Sequence, residues 1–358
     1  MRKLFAALDG PQTLGRGMGF WSGFVVVVVA AAALPVFVEA FAITNLTYFL
    51  LWVFMALGLS LIWGYAGILS FGQTAFFGLA GYTYGVVSTN LGDTGLWTWF
   101  ALGVSLITPI FLALILGYFM FYGGVRDVFI GIVTLSVTLV FETFMAQTAG
   151  PEWTIGSARL NGFNGMSNMP PLMLHIGETD LMFDGPAFFW LVLALLVLVY
   201  LGLRVLLNSR FGNVLVAIRE NPDRAEMLGY NIRAYQLVVF VIGSVLAGMS
   251  GVLYTLWGSY ITPSSMGLTA AALPIVWVAA GGRKDITATL LATILLTWLS
   301  QQLAVKGSQY ALIWMGVILL FVVMFAPEGM FVTPWKKLRT RARTRSAAAS
   351  RTLPSTPV

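Results

Sequence analysis

The sequence predicts an all-α integral membrane protein of about ten transmembrane helices. Of its 358 residues, 58% are hydrophobic and only 9% are charged, whereas soluble domains have about 25% charged residues. The apolar residues form runs long enough to cross a bilayer core of about 30 Å. The chain has no cysteine and a single histidine, His175. This excludes disulfides and thiolate metal sites and leaves little room for a histidine site.

The apolar runs alternate with loops along the chain. A cleaved signal peptide is the alternative for the first run, but that run exceeds the roughly 7–15 apolar residues of a signal core. The eighth run is short enough to turn back inside the membrane. The ten predicted spans are Phe20–Ala42, Leu46–Trp63, Phe71–Val87, Leu96–Tyr122, Asp127–Met145, Ala187–Leu207, Ala234–Gly258, Leu268–Ala280, Ile286–Val305 and Tyr310–Ala326.

The basic residues assign the loops to the two sides of the membrane. If the N-terminus lies inside, 18 of the 20 lysines and arginines fall on the inner side, and only Arg159 and Lys306 fall outside. By the positive-inside rule we therefore predict that both termini are inside. Leu268–Ala280 is then a full crossing, because a re-entrant segment would place Arg283, Lys284 and the basic tail outside.

The chain divides into three predicted regions. Residues 1–19 form a cytoplasmic N-terminal segment, residues 20–332 a transmembrane domain, and residues 333–358 a basic, disordered cytoplasmic tail. Within the domain, residues 148–186 form an outer loop that meets a partner or caps a pathway, the alternative being a disordered connector. Residues 208–233 form an inner loop.

The inner loop contains a short helix with recognisable ends. Asn221 caps it, Pro222 takes its first position, Asp223 lies in its first turn and Gly229 ends it. Two interpretations stay open. The segment is a handle that another protein pushes, or a helix held on the lipid surface by its basic residues.

Glycines interrupt the second and third spans and, in a similar pattern, the seventh and eighth. Tight helix packing is one interpretation of such small residues. If the spans are two sets of five, the second set is inverted and the glycine-rich pairs occupy matching places. Interrupted helices at matching places in inverted halves indicate a substrate pathway. The glycines predicted to be structural are Gly64, Gly67, Gly72, Gly81, Gly248 and Gly251.

Polar side chains lie near the first glycine-rich break and along the fifth span. Thr134, Thr138 and Glu142 recur at four-residue steps and share a helix face, while Ser70 and Gln73 lie at the break. Glu142 falls near the outer end of its helix, so an interfacial anchor is the alternative to a functional carboxylate. We predict that these five residues line a path for a neutral or zwitterionic polar solute.

The chain carries no evident energy source for uphill transport. It has no G-x-x-x-x-G-K-[ST] phosphate loop, and no span is dense in carboxylates and histidines as a proton relay would be. We therefore expect a non-catalytic transport subunit driven by a separate ATP-hydrolysing subunit, which would dock around Asn221–Gly229. An ion-coupled secondary transporter or a channel is the alternative of another class.

Five segments carry a family resemblance, at residues 57–82, 132–135, 212–231, 245–254 and 325–329. They resemble the LivM-like membrane subunits of branched-chain amino acid ABC importers and their urea-transport relatives. The resemblance implies a multi-pass permease of the bacterial inner membrane that works with a second membrane subunit, two cytoplasmic ATPases and an outer solute-binding protein. ATP and magnesium would be bound by the ATPases, and no cofactor is implied in this chain. The family's coupling segment maps onto Ala217, Ile218, Arg219, Glu220, Asn221, Ala225 and Gly229.

Departures from the family pattern bear on the substrate. The stretch from Trp277 to Arg283 looks more like the urea-type relatives, and Lys284 and Asp285 follow where a small or apolar residue is usual. The resemblance therefore implies branched-chain or other apolar amino acids as the solute, with urea or short amides as the alternative.

Overall fold

The computed structural model of the protein describes residues 8–9, 14–92, 95–176 and 179–336. The predicted basic tail lies outside the described residues from residue 337 onward, as do residues 1–7 and 10–13 of the predicted N-terminal segment. The described helices, numbered in chain order, are α1 (Met18–Phe37), α2 (Ala40–Leu59), α3 (Gln73–Leu91), α4 (Gly95–Gly117), α5 (Val128–Gln147), α6 (Gly185–Asn208), α7 (Arg210–Glu220), α8 (Pro222–Met227), α9 (Ile232–Gly258), α10 (Leu268–Gly281), α11 (Ile286–Lys306) and α12 (Ser308–Phe325).

Each of the ten predicted spans coincides with one of these helices. Among the described residues, seven helices are long and apolar enough to cross a membrane, namely α1, α2, α4, α5, α6, α9 and α11. The all-α membrane class is therefore supported, whereas ten crossings stay a prediction, because α3, α10 and α12 are not among these seven helices. The first predicted span was placed too far along the chain: α1 ends at Phe37, since Val38 is extended and Glu39 begins α2.

Helix α9 lies at the centre of the bundle and packs against α2, α3 and α4. Small residues allow this close approach. A Cβ added at Gly251 would overlap the carbonyl oxygen of Phe77 in α3. On the neighbouring face of α9, Ser250 Oγ donates to the carbonyl of Leu51 in α2 at 2.8 Å. The long central helix thus fixes α2 and α3, which flank the first glycine-rich break.

One sequence of elements occurs twice along the chain. Helix α2 widens into a π-helical turn at Ser60–Tyr65, and residues 66–72 then break the helix before α3 begins. In the second half, α9 ends at Gly258, residues 259–267 form the break and α10 follows. The order of helix, break and helix thus recurs in both halves of the chain, while the repeat of five and five spans and its inverted symmetry stay predictions.

The outer loop is ordered and carries short strands, so the alternative of a disordered connector is not supported for its described part. Strand β1 (Thr154–Ile155) pairs with β2 (Ala158–Arg159), and β4 (Met173–Ile176) with β5 (Thr179–Met182), both antiparallel. Strand β3 (Met166–Ser167) pairs with β6 (Tyr260–Ile261) from the second break. The loop therefore ties the two halves of the chain together.

The loops meet in two groups, at opposite ends of the long helices. At one end, Leu14 N–H donates to Asp285 at 2.6 Å. At the other, Asn90 donates to the carbonyl of Ile155 at 2.7 Å. This grouping agrees with the two sides that the basic residues assign, and we call the ends the inner and the outer end. Which end faces the cytosol stays a prediction.

Candidate coupling segment and broken helix

Helix α8 has the ends that the sequence predicts. The side-chain oxygen of Asn221 accepts a hydrogen bond from the backbone N–H of Arg224 at 2.9 Å, and Pro222 is the first helical residue. Gly229 has a φ of 85°, a left-handed conformation that glycine adopts without strain. The N–H of Tyr230 donates to the carbonyl of Ala225 at 3.2 Å, as in a Schellman helix end. The predicted caps are confirmed.

Helices α7 and α8 direct their apolar side chains into the protein. Val214, Ile218 and Ala225 are buried in one cluster, against which Ile232 and Tyr235 of α9 pack. A helix held only on a lipid surface would instead turn its apolar face to the acyl chains. The end of α8 nevertheless leaves Met227 and Leu228 exposed, at 86% and 76%. The segment is thus anchored to the bundle and presents an apolar tip.

Arg219 links α7 to the first glycine-rich break. Its guanidinium donates to the carbonyl of Gly64, in the π-helical turn of α2. Its Nη2 also lies 2.6 Å from the carboxylate of Glu220, and Lys284 Nζ lies 3.7 Å from the same carboxylate. The hydrogen bond from Arg219, together with both positive charges, holds the pKa of Glu220 below its usual value.

The turn between α10 and α11 is fastened to the same place. Ser60 Oγ donates to the carbonyl of Arg283 at 3.2 Å, and Tyr65 OH donates to the carbonyl of Lys284 at 2.9 Å. A Cβ added at Gly64 would overlap the carbonyl oxygen of Arg283. Three parts of the chain, α2, α7 and this turn, therefore meet around the π-helical turn.

Arg204 and Asp285 form a buried centre that the sequence interpretation missed. Arg204 is fully buried and donates to the carbonyls of Leu14 and Gly15. Asp285 accepts from the N–H groups of Leu14 (2.6 Å) and Thr287 (3.0 Å). Burial raises the pKa of Asp285, against the effect of these hydrogen bonds and of the Arg204 charge. The sequence did contain an indication of this centre. Arg204 lies inside an apolar run, and a charged side chain in such a place needs a partner.

Three of the five predicted pathway residues, Ser70, Thr134 and Thr138, have hydrogen-bond partners in the first break. Ser70 Oγ accepts from the N–H of Gly72 at 3.1 Å. Thr134 Oγ1 accepts from the N–H of Phe71 at 3.1 Å, and Thr138 Oγ1 donates to the carbonyl of Phe71 at 3.3 Å. These hydroxyls hold the break against α5. Glu142 lies further along α5, where a Cβ added at Gly267 would come within 2.6 Å of its Oε1.

Gln73, the fifth predicted pathway residue, differs from the others. It is 1% exposed, and neither its amide nitrogen nor its amide oxygen has a hydrogen-bond partner among the described residues. The next residue, Thr74, is equally buried and its hydroxyl is also without a partner. Both lie in the first turn of α3. The break thus brings unsatisfied polar atoms to a buried helix N-terminus.

The predicted structural glycines lie at close approaches of the chain. Gly67 has a φ of 77°, and an added Cβ would come within 3.0 Å of Arg219 Cγ. The others face Arg283 (Gly64), Thr134 (Gly72), Ile261 and Thr255 (Gly81), Pro109 (Gly248) and Phe77 (Gly251). Most of these neighbours belong to another helix or to a turn, so a larger side chain would push these elements apart.

Comparisons with known proteins place this arrangement in a family. Residues 41–326 match the family described as "Branched-chain amino acid transport system / permease component". Relatives include a "Probable branched-chain amino acid transport permease protein LivM" of Methanocaldococcus jannaschii, 28% identical over 48% of this chain and 52% of that protein. A "Probable branched-chain amino acid transport permease protein LivH" of the same organism is 24% identical over 40% of this chain and 48% of that protein.

An Escherichia coli "Probable ABC transporter permease protein YphD" is 28% identical over 37% of this chain and 43% of that protein. The chain thus aligns with about half the length of these curated relatives. No solved structure matches it. Because the family match covers most of the sequence, this chain belongs to the branched-chain amino acid transport permease family of ABC transporters.

Proposed function

We propose that this chain is the membrane subunit of an ABC importer that moves branched-chain and other apolar amino acids across a bacterial inner membrane. Two separate ATPase subunits on the cytoplasmic side supply the energy, a second permease subunit completes the pathway, and an outer protein delivers the solute. The family match and the relatives named as branched-chain amino acid permeases support this assignment.

The observation that carries the proposal is the connection from the coupling segment to the broken helix. Ile218 and Ala225 anchor α7 and α8 in the bundle, and Arg219 donates to the carbonyl of Gly64. A few residues further along the chain lies the break that precedes α3. A displacement of α8 is therefore transmitted to the start of α3 through short, packed contacts, as coupling to an external motor requires.

The surfaces at the two ends fit the proposed partners. At the inner end, a cleft of about 450 Å³ opens beside the coupling segment and is lined by Gly67, Arg126, Arg219, Asp223 and Glu226 among others. The apolar tip of α8 lies on the same segment. Such a combination of apolar anchor and charged rim suits a protein partner. The ordered outer loop supplies a surface for a solute-binding protein at the other end.

Two residues that depart from the family pattern, Lys284 and Asp285, have a structural explanation. Arg283, Lys284 and Asp285 lie in the inner turn between α10 and α11, where they contact α2, Glu220 and Leu14. The side chains of Lys284 and Asp285 therefore help to fasten that turn, whereas the bonds to α2 are accepted by the backbone carbonyls of Arg283 and Lys284, which any residue would supply. We accordingly favour an amino acid as the solute, with urea as the competitor to be tested beside it.

Replacing Gly229 with valine tests the coupling segment. Valine is strained at a φ of 85°, although no atom lies within 4 Å of an added Cβ, so the end of α8 changes without a clash. In proteoliposomes holding all subunits, ATP-dependent leucine uptake should fall about tenfold or more while the subunits still assemble. Gly202→Val is the matched control, because Gly202 lies in a helix and also has open space around it. Unchanged uptake by the Gly229 variant would contradict the assignment of the coupling segment.

Reconstituting the chain with and without ATPase subunits tests the energy source. We expect leucine uptake only when the ATPases and ATP are present, and urea uptake to be much slower. Uptake by the chain alone, driven by an ion gradient, would instead support a secondary transporter. Faster uptake of urea than of leucine would assign the solute to the amide class.

A further inference from the structure

We propose that the N-terminus of α3 binds the carboxylate of the transported solute, with Gln73 and Thr74 as its side-chain donors. This inference rests on the proposed function and deepens it, because it assigns the solute's charged end to one place in the protomer. Neither the family match nor the names of the relatives indicates where the solute is held.

The geometry of α3 provides the first argument. The helix has 19 residues and begins at Gln73 after Gly72, and no side chain caps it. The N–H of Ala75 donates to the carbonyl of Gly72 at 3.1 Å, so the N–H groups of Gln73 and Thr74 are those without a partner within the helix, at the positive end of the helix dipole. An anion is favoured at such an end, and more so inside a membrane domain, where water is scarce.

The side chains of the first turn provide the second, independent argument. Gln73 Nε2, Gln73 Oε1 and Thr74 Oγ1 are buried and have no hydrogen-bond partner in the described structure. Side chains on a helix lean toward its N-terminus, so both are directed at the end where the free N–H groups lie. Buried polar atoms are nearly always satisfied in folded proteins. Unsatisfied donors at a helix N-terminus therefore indicate a ligand that accepts hydrogen bonds.

The neighbouring polar groups are already engaged and hold the site in place. The hydroxyls of Thr134 and Thr138 bind the N–H and the carbonyl of Phe71, and Ser70 Oγ binds the N–H of Gly72. These hydrogen bonds hold Phe71 and Gly72, the last two residues of the break, in place. The side chains of Gln73 and Thr74 keep their full hydrogen-bonding capacity.

An aromatic wall continues from Gln73 along α3. Phe77 lies one helical turn after Gln73 on the same face and stacks on Trp52 of α2, with ring centroids 5.3 Å apart and an interplanar angle of 9°. Tyr254 of α9 lies 5.4 Å from both rings. These rings are packed on one another, and Phe77 is fully buried. A polar helix end followed by buried aromatic rings combines a partner for the carboxylate of an apolar amino acid with apolar surroundings for its side chain.

The experiment compares Gln73→Leu and Thr74→Val with the wild type in the purified permease complex without the solute-binding protein. The first readout is the thermal shift caused by leucine or by leucinamide, which lacks the carboxylate. We expect leucine to stabilise the wild type and leucinamide not to. In both variants the leucine concentration that gives the half-maximal shift should rise about tenfold or more, because a hydrogen bond to a charged group is lost.

Two controls separate binding from folding. Without leucine, the melting temperature of the Gln73→Leu variant should equal or exceed that of the wild type, since the replaced amide has no partner to lose. Gln301→Leu makes the same chemical change in α11, where the amide donates to Asn45 at 3.4 Å, and it should leave the leucine response intact.

The outcomes distinguish this inference from the proposed function. Equal stabilisation by leucine and leucinamide, no stabilisation of the wild type by leucine, or a wild-type response in Gln73→Leu would each overturn the carboxylate site. ATP-dependent leucine uptake that is insensitive to Gln73→Leu would likewise overturn it while leaving the transport function intact. Leucine binding that depends on Gln73, without ATP-driven uptake, would retain the site and contradict the importer.

Discussion

The two breaks in the bundle have the same place in the order of elements but satisfy their polar groups differently. After the first break, Gln73 and Thr74 are buried without partners at the start of α3. In the second break, Thr262 Oγ1 bonds with Ser264 Oγ at 2.9 Å. There the carboxylate of Glu142 lies beside Gly267, at the start of α10. One helix start has unused hydrogen-bonding capacity, and the other has a carboxylate of the chain itself beside it.

The two breaks are similar in sequence, but the pairing of their polar groups indicates different roles, one structural and one functional. A break whose groups satisfy each other is stable without a ligand, because no buried donor or acceptor is left unpaired. A break that leaves donors unpaired is less stable on its own and gains from a ligand. We therefore assign the second break to holding the fold and the first to handling solute, and the following substitutions test that contrast.

The largest effect is expected from alanine at Gly64, compared with alanine at Gly258 before the second break. A Cβ at Gly64 would overlap the backbone carbonyl of Arg283, whereas a Cβ at Gly258 would meet the ring of Tyr260, a side chain that can shift more easily than a backbone carbonyl. The free energy of unfolding should fall by about 3 kcal/mol or more for Gly64→Ala, because the added Cβ forces the turn between α10 and α11 away from α2. For Gly258→Ala it should stay within about 1 kcal/mol of the wild type.

The stabilities of Gly64→Ala and Gly258→Ala can be compared by thermal unfolding in detergent and by the yield of folded complex. A well-folded Gly64→Ala variant with wild-type uptake would show that the turn and the π-helical end of α2 separate without cost. The fastening of the first break to the inner turn would then be wrong.

A smaller effect is expected from valine at Thr134, compared with valine at Thr262. The Thr134 hydroxyl accepts from the N–H of Phe71, so Thr134→Val leaves that N–H unpaired and should destabilise the protein by about 1–3 kcal/mol. The Thr262 hydroxyl bonds with the hydroxyls of Ser264 and Ser265, so its replacement should cost less than about 0.5 kcal/mol. Urea denaturation followed by tryptophan fluorescence would compare them, and equal losses would remove the contrast between the breaks.

The elements that could be predicted from sequence are those set by local chemistry. Apolar runs predicted the helices, and Asn221 and Gly229 predicted both ends of α8, because a cap is formed by residues a few positions apart. The four-residue spacing of Thr134 and Thr138 placed both on the face of α5 that meets Phe71. The glycines therefore indicated the first break, and periodicity indicated the face of α5 that packs against it.

What the sequence did not reveal depends on contacts between distant parts of the chain. The bond from Leu14 to Asp285 spans 271 positions, and Arg204 reaches Gly15 across 189. No local pattern relates such residues. The sequence also could not separate Gln73 from Thr134, since both are polar residues in apolar surroundings. Only the three-dimensional arrangement shows that the threonine has a backbone partner and the amide has none.

Glutamine at Glu142 tests the second helix start. The carboxylate lies beside the N-terminus of α10, where a negative charge contributes about 0.3–1 kcal/mol. Glu142→Gln should therefore lower the free energy of unfolding by that amount and leave uptake unchanged, since we place Glu142 in a structural role. A loss of uptake with full stability would return Glu142 to the solute pathway, as the sequence predicted, and would make the two breaks alike.

The smallest effect is expected from glutamine at Glu220, the exposed link between α7 and the inner turn. Its folded-state pKa is lowered, chiefly by the hydrogen bond from Arg219. Its ion pairs are therefore complete at neutral pH and are lost only as the pH falls through that lowered value. Exposed pairs contribute little and are screened by salt, so Glu220→Gln should reduce uptake less than about fivefold at low salt and not at all at high salt.

Arg219→Gln should have a larger, salt-resistant effect, because it also removes the donor to Gly64. Uptake measured across ionic strength compares the two variants, and equal responses would show that Arg219 acts through its surface charge alone.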